Sequence, residues 1–232
     1  MLFRSKPPSW EHWFGTDALG RDVFARTLLG GRISLIVGLV SALFCTVIGL
    51  LIGSMAGYFR RFDFPIMRVV DVIMSFPLWI LLLLAAAFVG PGIVNIIVLI
   101  ALITWPVPAR IIRGQILQMR EADFVMAAKV LGAKDQSILV RHVLPNSIAP
   151  VFVSVAFGVA GAVLVETSLS FLGFGDANVP SWGEIVSQGR QYVIEGLDYL
   201  VIWPGVAIFV TLTAFNLFGQ GLRDAMDPRL RR

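Results

Sequence analysis

Four long runs without a single charged residue dominate this sequence. They cover residues 33–59, 72–109, 148–165 and 199–222. About 20 apolar residues are enough for one helix to cross the hydrocarbon core of a bilayer. The composition agrees with this, because 57% of the residues are hydrophobic, 15% are charged and the mean hydropathy is +0.82. The chain is therefore predicted to be all-α, a polytopic transmembrane bundle over residues 33–222.

Glycine and proline subdivide the longest run. Residues 72–109 are too many for one span, and Gly90-Pro91-Gly92 interrupts them because proline cannot continue a helix. About five spans are therefore predicted, with a short charged turn at residues 60–71 before the second. Pro106 and Pro108 predict a kink in the third span.

Two further patterns concern individual spans. Pro204-Gly205 predicts a break in the last span. In the first span, three glycines recur at four-residue spacing: Gly49, Gly53 and Gly57. Such a ridge lets a neighbouring helix approach closely. The alternative is that glycine is simply common in membrane helices.

Basic residues lie at the ends of the spans, where they orient a membrane protein. Cytoplasmic loops carry an excess of lysine and arginine. With residues 120–145 in the cytoplasm, that side holds 13 basic residues from residue 60 onward, whereas the loop at 167–198 holds only Arg190. The tail, residues 223–232, is then also cytoplasmic.

The N-terminal segment, residues 1–32, departs from this rule. An odd number of spans places it outside with its five basic residues. We therefore hypothesise that a further spanning helix precedes it. A short amphipathic stretch within the segment is predicted to lie along the membrane surface as an interfacial helix. It contains Val23, Phe24, Thr27 and Leu28.

The residues present exclude several kinds of site. One cysteine, Cys45, and two histidines leave no disulfide framework and no metal-ligand cluster. Residues 15–22 have the glycine spacing of a phosphate-binding loop, but Arg21 replaces its lysine and Asp22 would repel phosphate. We predict no catalytic residue, no metal and no cofactor on this chain. Clustering of basic residues at span ends also argues against nucleic-acid binding.

The longest charged segment between the spans, residues 120–145, is the predicted docking site. Three residues share one face of a short helix over residues 121–131: Phe124, Ala128 and Leu131. Ala127 lies beside them, and Gly132 ends the helix. Adjacent alanines make a low surface on which another protein can lie closely, so this segment is interpreted as a docking helix.

Four motifs resemble those of the permease subunits of bacterial ABC importers. Ala127-Ala128-x-x-x-Gly132, followed by Leu144-Pro145, is similar to their EAA loop. Three more are similar to the dipeptide, oligopeptide and nickel branch: His12-x-Phe14-Gly15-Thr16-Asp17-x-x-Gly20-Arg21-Asp22, Glu166-Thr-Ser-Leu-Ser-Phe-Leu-Gly173 with Pro180-Ser181-Trp182-Gly183, and Gly221-Leu222-Arg223-Asp224-x-x-Asp227-Pro228-Arg229. The loop departs from the family pattern at Met126, where glutamate is usual, and at His142, where isoleucine is usual.

The resemblance implies a single permease domain, residues 1–232, in a type I importer of a bacterial or archaeal inner membrane. This chain would be the second permease, without enzymatic activity. Its partners would be a homologous permease chain, two ATPase subunits that bind ATP and magnesium, and an extracytoplasmic binding protein. The residues implied for coupling to an ATPase are Glu121, Phe124, Ala127, Ala128, Leu131, Gly132, Leu144 and Pro145.

Two other regions carry hypotheses with open alternatives. The loop at residues 167–198 is predicted to lie outside, where a set of four residues either contacts the binding protein or packs on the spans as a plug. That set is Pro180, Ser181, Trp182 and Gly183. Asn216 and Gln220 are polar residues inside the last span, and exposing their side chains to lipid would cost free energy. They either line the pathway or bond to neighbouring helices.

A secondary transporter or channel, independent of ATP, is the competing class. Against it, no span is expected to carry a central ionisable residue suited to proton or sodium coupling, because Glu166 is predicted to close the fourth span. The cargo stays open among dipeptides, longer peptides, nickel and related small solutes, because the resemblance implies that the binding protein largely sets specificity.

Overall fold

The computed structural model describes residues 5–226, apart from the side chain of Ala149. In that range the chain is almost entirely helical, and two residues, Thr16 and Asp22, form an isolated β-bridge. The helices are α1 (Val23–Tyr58), α2 (Arg60–Ser75), α3 (Leu78–Val89), α4 (Ile93–Thr104), α5 (Pro106–Met119), α6 (Asp123–Val130), α7 (Asp135–Ile138), α8 (Leu144–Ser147), α9 (Ala149–Phe171), α10 (Trp182–Gly189) and α11 (Tyr199–Met226). A π-helical turn (Leu139–Val143) precedes α8, and a 3-10 helix (Arg190–Glu195) follows α10.

Four helices of the described chain are long and apolar enough to cross a membrane. They are α1, the stretch Ile93–Met119 formed by α4 and α5, Pro150–Phe171 of α9, and α11. A fifth span results if α2 and α3 count as one, although the helix direction changes by 89° between them. Pro77 lies at this bend and cannot donate a backbone hydrogen bond. The predicted all-α membrane fold is confirmed.

Two predicted interruptions have different outcomes in the structure. Between α3 and α4 the chain turns at Gly90 and Gly92, whose φ angles are +87° and +146°. Residues with a side chain rarely adopt such angles, so glycine is needed there. At the position of the predicted kink in the third span, Trp105 separates α4 from α5 and Pro106 begins α5, but Ile93–Met119 forms one continuous 27-residue span.

The predicted charged turn at residues 60–71 is wrong, because this stretch lies within helix α2. One face of α2 packs on α1 and α5. Its carboxylates pair with α5: Arg113 donates two hydrogen bonds to Asp63, at 2.5 and 2.8 Å, and Arg110 donates one to Asp71 at 2.6 Å. Acidic and basic residues are therefore compatible with a packed helix, since partners on another helix neutralise the carboxylates.

Two other predictions need correction. The stretch beginning at Val23 is not a separate surface helix, because it forms the first turns of α1. The expected break at Pro204-Gly205 is also absent, and α11 continues through Pro204. This proline is close to the start of the helix. Its missing N–H removes one bond, to the carbonyl of Leu200, and the rest of the helix is unaffected.

Contacts divide the described chain into two units. The first contains residues 5–41, 82–100 and 159–216, and the second contains residues 42–81, 101–158 and 217–226. Within the first unit, α10 packs on the start of α1. A side-chain carbon added at Gly31 would lie 2.7 Å from the ring of Trp182, and one at Gly30 would lie 2.8 Å from Ile185. Only glycine permits this approach.

Within the second unit, the glycine ridge of α1 packs against α5. A carbon added at Gly49 would lie 2.7 Å from the ring of Pro108, and one at Gly57 would lie 2.9 Å from Ile116. At Gly53 it would overlap Ile112. The glycine spacing therefore reflects close helix contact and not merely the frequency of glycine in membrane helices.

Candidate functional site

The predicted docking helix is present but begins two residues later than expected. It is α6, Asp123–Val130, instead of residues 121–131. Its first turn carries Asp123 and its last turn Lys129, and both charges complement the helix dipole. Glu121 lies before the helix and is exposed.

Gly132 ends α6 as predicted. Its φ is +81°, in the left-handed region that favours glycine. The N–H of Gly132 donates to the carbonyl of Lys129 at 3.0 Å, and the N–H of Ala133 donates to the carbonyl of Ala128 at 3.0 Å. This pair of bonds is a Schellman motif, so the helix end is defined by local backbone geometry.

One face of α6 packs into the core of the second unit. Val125 has no exposed surface, and Ala128 is partly buried against the same cluster. The cluster also contains Tyr58, Ile112, Ile116, Ile138, Leu139, Val143 and Val151. Ala128, predicted to lie on the outward face, is only partly exposed, because its side chain packs against this cluster.

The opposite face of α6 is uncovered. Phe124, Ala127 and Leu131 lie along it at spacings of three and four residues, and all three are exposed. Val130 and Leu131 are each 87% exposed. Met126 also lies on the surface. A short helix outside the predicted spans thus presents a contiguous apolar surface.

Polar contacts tie this segment to the end of α1. The hydroxyl of Tyr58 donates to Asp135 Oδ1 at 2.9 Å. Arg120 donates to the carbonyl of Gly57 at 3.2 Å, which supplies positive charge at a helix end that has no basic residue in its own last turn. The amine of Lys129 lies 5.8 Å from the centroid of the Tyr58 ring.

The Leu144-Pro145 pair begins α8. Leu144 is partly buried against the cluster that holds α6, whereas Pro145 is exposed. His142, one of the two departures from the family motif, is also exposed. Because Met126 lies on the surface too, both departures change surface residues and leave the buried cluster intact.

The four residues proposed at the outer loop are mostly buried within the first unit. Ser181 caps α10 by accepting a hydrogen bond from the N–H of Glu184. Trp182 is 5% exposed. A side chain at Gly183 would overlap the carbonyl of Thr167, and Pro180 is half-buried. These contacts favour the packing alternative for this set.

The indole of Trp182 has its own partner. Its N–H donates to the carbonyl of Thr27 at 2.8 Å, and the backbone N–H of Trp182 donates to Ser34 Oγ at 3.2 Å. The residue therefore joins α10 to the first turns of α1.

Asn216 and Gln220 are exposed on α11. The amide of Asn216 donates to the carbonyl of Leu212, one turn earlier in its own helix, at 2.8 Å. One N–H of the Asn216 amide is therefore satisfied within α11 itself.

The prediction that Glu166 closes a span is wrong. Helix α9 continues to Phe171, and the Glu166 side chain is 2% exposed. The hydroxyl of Ser170 donates to Oε1 at 2.8 Å, and that of Thr167 donates to Oε2 at 3.4 Å. A buried carboxyl group therefore lies inside a spanning helix.

Residues 12–22 form a network of hydrogen bonds and ion pairs. On sequence alone, part of this motif was compared only with a phosphate-binding loop, and the network was not predicted. Asp17 is the acceptor at its centre. Arg21 donates from Nε at 2.7 Å and Arg26 from a terminal nitrogen at 2.6 Å, while the N–H groups of Leu19 and Arg21 also donate to this carboxylate. Burial raises the pKa of Asp17, but the hydrogen bonds from the two arginines outweigh it and lower the pKa overall.

The same motif caps α1 and binds α10. Asp22 accepts from the N–H of Ala25 at 2.8 Å and contacts His12 Nδ1 at 2.8 Å. Burial raises the pKa of Asp22, but these contacts outweigh burial and lower the pKa overall. Arg26 also donates to Gln188 of α10 at 2.9 Å. An aspartate just before an apolar helix is the signal that predicts such a cap.

Comparison with known proteins identifies the family. Residues 46–232 match the family described as binding-protein-dependent transport system inner membrane component. A protein of Brucella suis biovar 1 (strain 1330), named as a peptide transport system permease protein, is 44% identical over 229 residues, which are 98% of this chain and 77% of that protein. The dipeptide transport system permease protein DppC of Alkalihalophilus pseudofirmus is 40% identical over 98% of this chain and 75% of its own length.

A solved structure shows the same fold. The inward-facing MetNI methionine ABC transporter aligns with a TM-score of 0.66 over 86% of this chain and 97% of the compared chain, at 18% identity. Together with the apolar helices, these similarities make this chain a multi-pass membrane protein, and it belongs to the family of binding-protein-dependent transport system inner membrane components.

Proposed function

We propose that this chain is a permease subunit of an ATP-driven importer of dipeptides or oligopeptides. Family membership and two relatives named for peptide transport support this cargo class. Nickel and related small solutes, carried in the same branch, are the alternative cargo. In the proposed assembly a second homologous permease chain completes the pathway, two ATPase subunits hold ATP and magnesium, and an extracytoplasmic binding protein delivers the cargo at the inner membrane.

The observation that carries the coupling role is the division of α6 into two faces. Its inward face is anchored by Val125, which is fully buried. Its outward face leaves Val130 and Leu131 uncovered, although neither lies in a predicted span. Apolar side chains exposed in this way are typical of a protein interface. In the proposed assembly, this face lies against an ATPase subunit.

Movement of α6 would pass into the spans through rigid contacts. Val125 shares its cluster with residues of α5 and with Tyr58 at the end of α1. The bond from Tyr58 to Asp135 joins the end of α1 to α7, and the bond from Arg120 to Gly57 joins the end of α5 to α1. Ile138 of α7 belongs to the same cluster as Val125. A closing motion of the ATPase pair would therefore move α6 and the ends of α1 and α5 as one body, which is the kind of motion that links inward-open and outward-open states.

A charge substitution on the outward face tests the coupling role. Leu131→Glu places a carboxylate on the proposed interface, whereas Gln136→Glu places the same charge at an exposed position of α7. We expect Leu131→Glu to reduce ATPase activity stimulated by loaded binding protein at least ten-fold in the reconstituted complex, because central interface residues contribute about 2 kcal/mol or more. Gln136→Glu should retain it. Equal stimulation by both variants would exclude α6 as the coupling helix.

Residues outside α6 have different proposed roles. Asn216 and Gln220 are proposed to face the pathway or the second permease chain, because exposed amides are costly in lipid. Ser181, Trp182 and Gly183 are proposed to hold α10 in place as a plug. Contact with the binding protein then falls to exposed parts of the same loop, such as Ile194, which is 97% exposed.

One observation favours the competing class, a secondary transporter: Glu166 is buried inside a spanning helix. An ionisable group inside a spanning helix is a common feature of proton-coupled or sodium-coupled transport. The test is peptide uptake by proteoliposomes that contain the permease chains without ATPase subunits. Uptake driven by a proton or sodium gradient in those vesicles, abolished by Glu166→Gln, would support the competing class.

A further inference from the structure

Helix α2 carries more positive charge than its surroundings neutralise. Its two carboxylates, Asp63 and Asp71, are already paired with arginines of α5. Its own three arginines make no ion pair with any acidic residue among residues 5–226. They are Arg60, Arg61 and Arg68.

Two of these arginines lie over aromatic rings of the same helix. The guanidinium carbon of Arg68 lies 4.9 Å from the ring centroid of Phe64, one turn earlier, and that of Arg61 lies 4.4 Å from the ring centroid of Phe62. Arg60 and Arg68 line one hollow of about 410 Å³, together with Phe64, Met67 and the already paired Asp63, Asp71 and Arg113. The arginines of α2 therefore all lie within residues 60–68, and two of them line the same hollow.

Apolar side chains are exposed beside this charge. Phe64 is 69% exposed and Val72 is 60% exposed. At spacings of three and four residues, they share one helix face with Arg61 and Arg68. The C-terminal half of α2 contains no further basic residue. Along this face arginines and exposed apolar side chains alternate, and a face of this mixed kind is typical of the boundary between lipid headgroups and acyl chains.

We propose that Arg60, Arg61 and Arg68 bind the headgroup phosphate of an anionic phospholipid in the cytoplasmic leaflet, with Phe64 and Val72 against its acyl chains. Basic pockets on the cytoplasmic side of membrane proteins recognise such headgroups by this chemistry. An acidic surface of a partner protein is a weaker match, because it would leave the two apolar side chains without an apolar neighbour. The proposal rests on the orientation in the proposed function, which places the start of α2 at the cytoplasmic side.

Lipid retention by the purified full chain tests this site. The protein is equilibrated with vesicles of phosphatidylglycerol and phosphatidylcholine in equal amounts, and bound lipids are counted by native mass spectrometry. We expect a preference for phosphatidylglycerol that falls roughly five-fold for each arginine removed by Arg→Gln substitution. Arg141→Gln is the matched control, because Arg141 is an exposed arginine outside α2. It should retain the preference.

A variant that keeps the positive charges distinguishes loss of lipid binding from loss of folding. The triple substitution Arg60→Lys, Arg61→Lys and Arg68→Lys should retain most of the phosphatidylglycerol that the triple glutamine variant loses. Equal retention by the triple glutamine variant and the wild-type chain would overturn the proposal. In the reconstituted complex, loss of ATPase subunits from the triple glutamine variant, with its phosphatidylglycerol retention equal to that of the wild type, would assign the arginines to a protein contact instead. Neither result depends on the Leu131→Glu experiment, so failure of the coupling role is detected separately.

Discussion

Helix α6 and the N-terminal loop at residues 12–22 both carry motifs of the same family, yet they use their side chains in opposite ways. In the loop, Asp17 accepts four hydrogen bonds, and Arg26 continues the network to α10. In α6, Val130 and Leu131 contact little else in the chain and remain exposed. In the loop, hydrogen bonds within the chain pair the charged groups, whereas the apolar side chains on the outward face of α6 have no neighbouring element of the described part of the chain packed on them.

This difference separates a role in folding from a role in binding. The largely buried pair of Asp17 and Arg26 needs both members, because removing the carboxylate leaves the Arg26 charge without its ion-pair partner. An uncovered apolar face contributes nothing to the fold of the chain that carries it. Substitutions in the loop should therefore change stability, and substitutions on the outward face of α6 should change the interaction with a partner.

The largest expected effect is that of Asp17→Ala. The side chain of Arg26 is 14% exposed and would lose its carboxylate, which costs about 3–5 kcal/mol. We expect the midpoint of thermal aggregation of the purified protein to fall by about 10 °C. Glu195→Ala, at an exposed acidic position with no ion pair within residues 5–226, is the control. Equal midpoints for the two variants would show that the network does not stabilise the loop.

Adjacent alanines of α6 provide the next test. Ala128→Glu buries a carboxylate against the apolar cluster and should lower stability by about 2 kcal/mol or more. Ala127→Glu places the same group on the outward face, where stability should be unchanged and stimulated ATPase activity should fall. Thermal midpoints and ATPase rates are measured on both. If Ala127→Glu destabilised the chain as much as Ala128→Glu, the division of α6 into two faces would be incorrect.

A smaller effect is expected for Tyr58→Phe. The substitution removes the hydrogen bond to Asp135 and leaves the ring in the cluster, so the cost is about 1 kcal/mol. Stimulated ATPase activity should fall more than basal activity if this bond, which joins α7 to the end of α1, transmits movement of the segment at residues 120–145. Tyr192→Phe is the matched control, because the Tyr192 hydroxyl makes no hydrogen bond within residues 5–226. A loss of activity in the control alone would contradict the role of Tyr58.

The smallest expected effect concerns Asp22 and pH. Its pKa is lowered in the folded protein, so its stabilising contribution is present above the unfolded value, about 3.9, and is lost as pH falls through the lower folded value. The contribution is under about 1 kcal/mol because both Asp22 and His12 are about one-third exposed. Thermal midpoints of the wild type and Asp22→Asn should differ at pH 6, and the difference should begin to shrink only as pH falls below about 3.9. Asp198→Asn, at an exposed position, should follow the wild type throughout.

Local patterns were sufficient to predict the spanning helices and the end of α6. A helix in lipid satisfies its backbone groups within its own segment, so an uncharged run of sufficient length already specifies it. The same holds for Gly132, since the Schellman motif involves only the residues around the helix end. The four-residue spacing of Gly49, Gly53 and Gly57 was also visible in the sequence. It did not by itself distinguish close contact with another helix from the general frequency of glycine in membrane helices.

Contacts between distant residues decided the rest. Trp182 is buried because its indole N–H donates to a carbonyl 155 residues earlier in the chain. Residues of α2 form a helix and not a turn because its apolar face packs on α1 and α5, where arginines of α5 also neutralise Asp63 and Asp71. Ala128 faces inward because α5 and α7 lie on that side of α6. Periodicity places residues on a common face, but the neighbouring elements determine whether that face is buried, and those neighbours are specified only once the chain is packed.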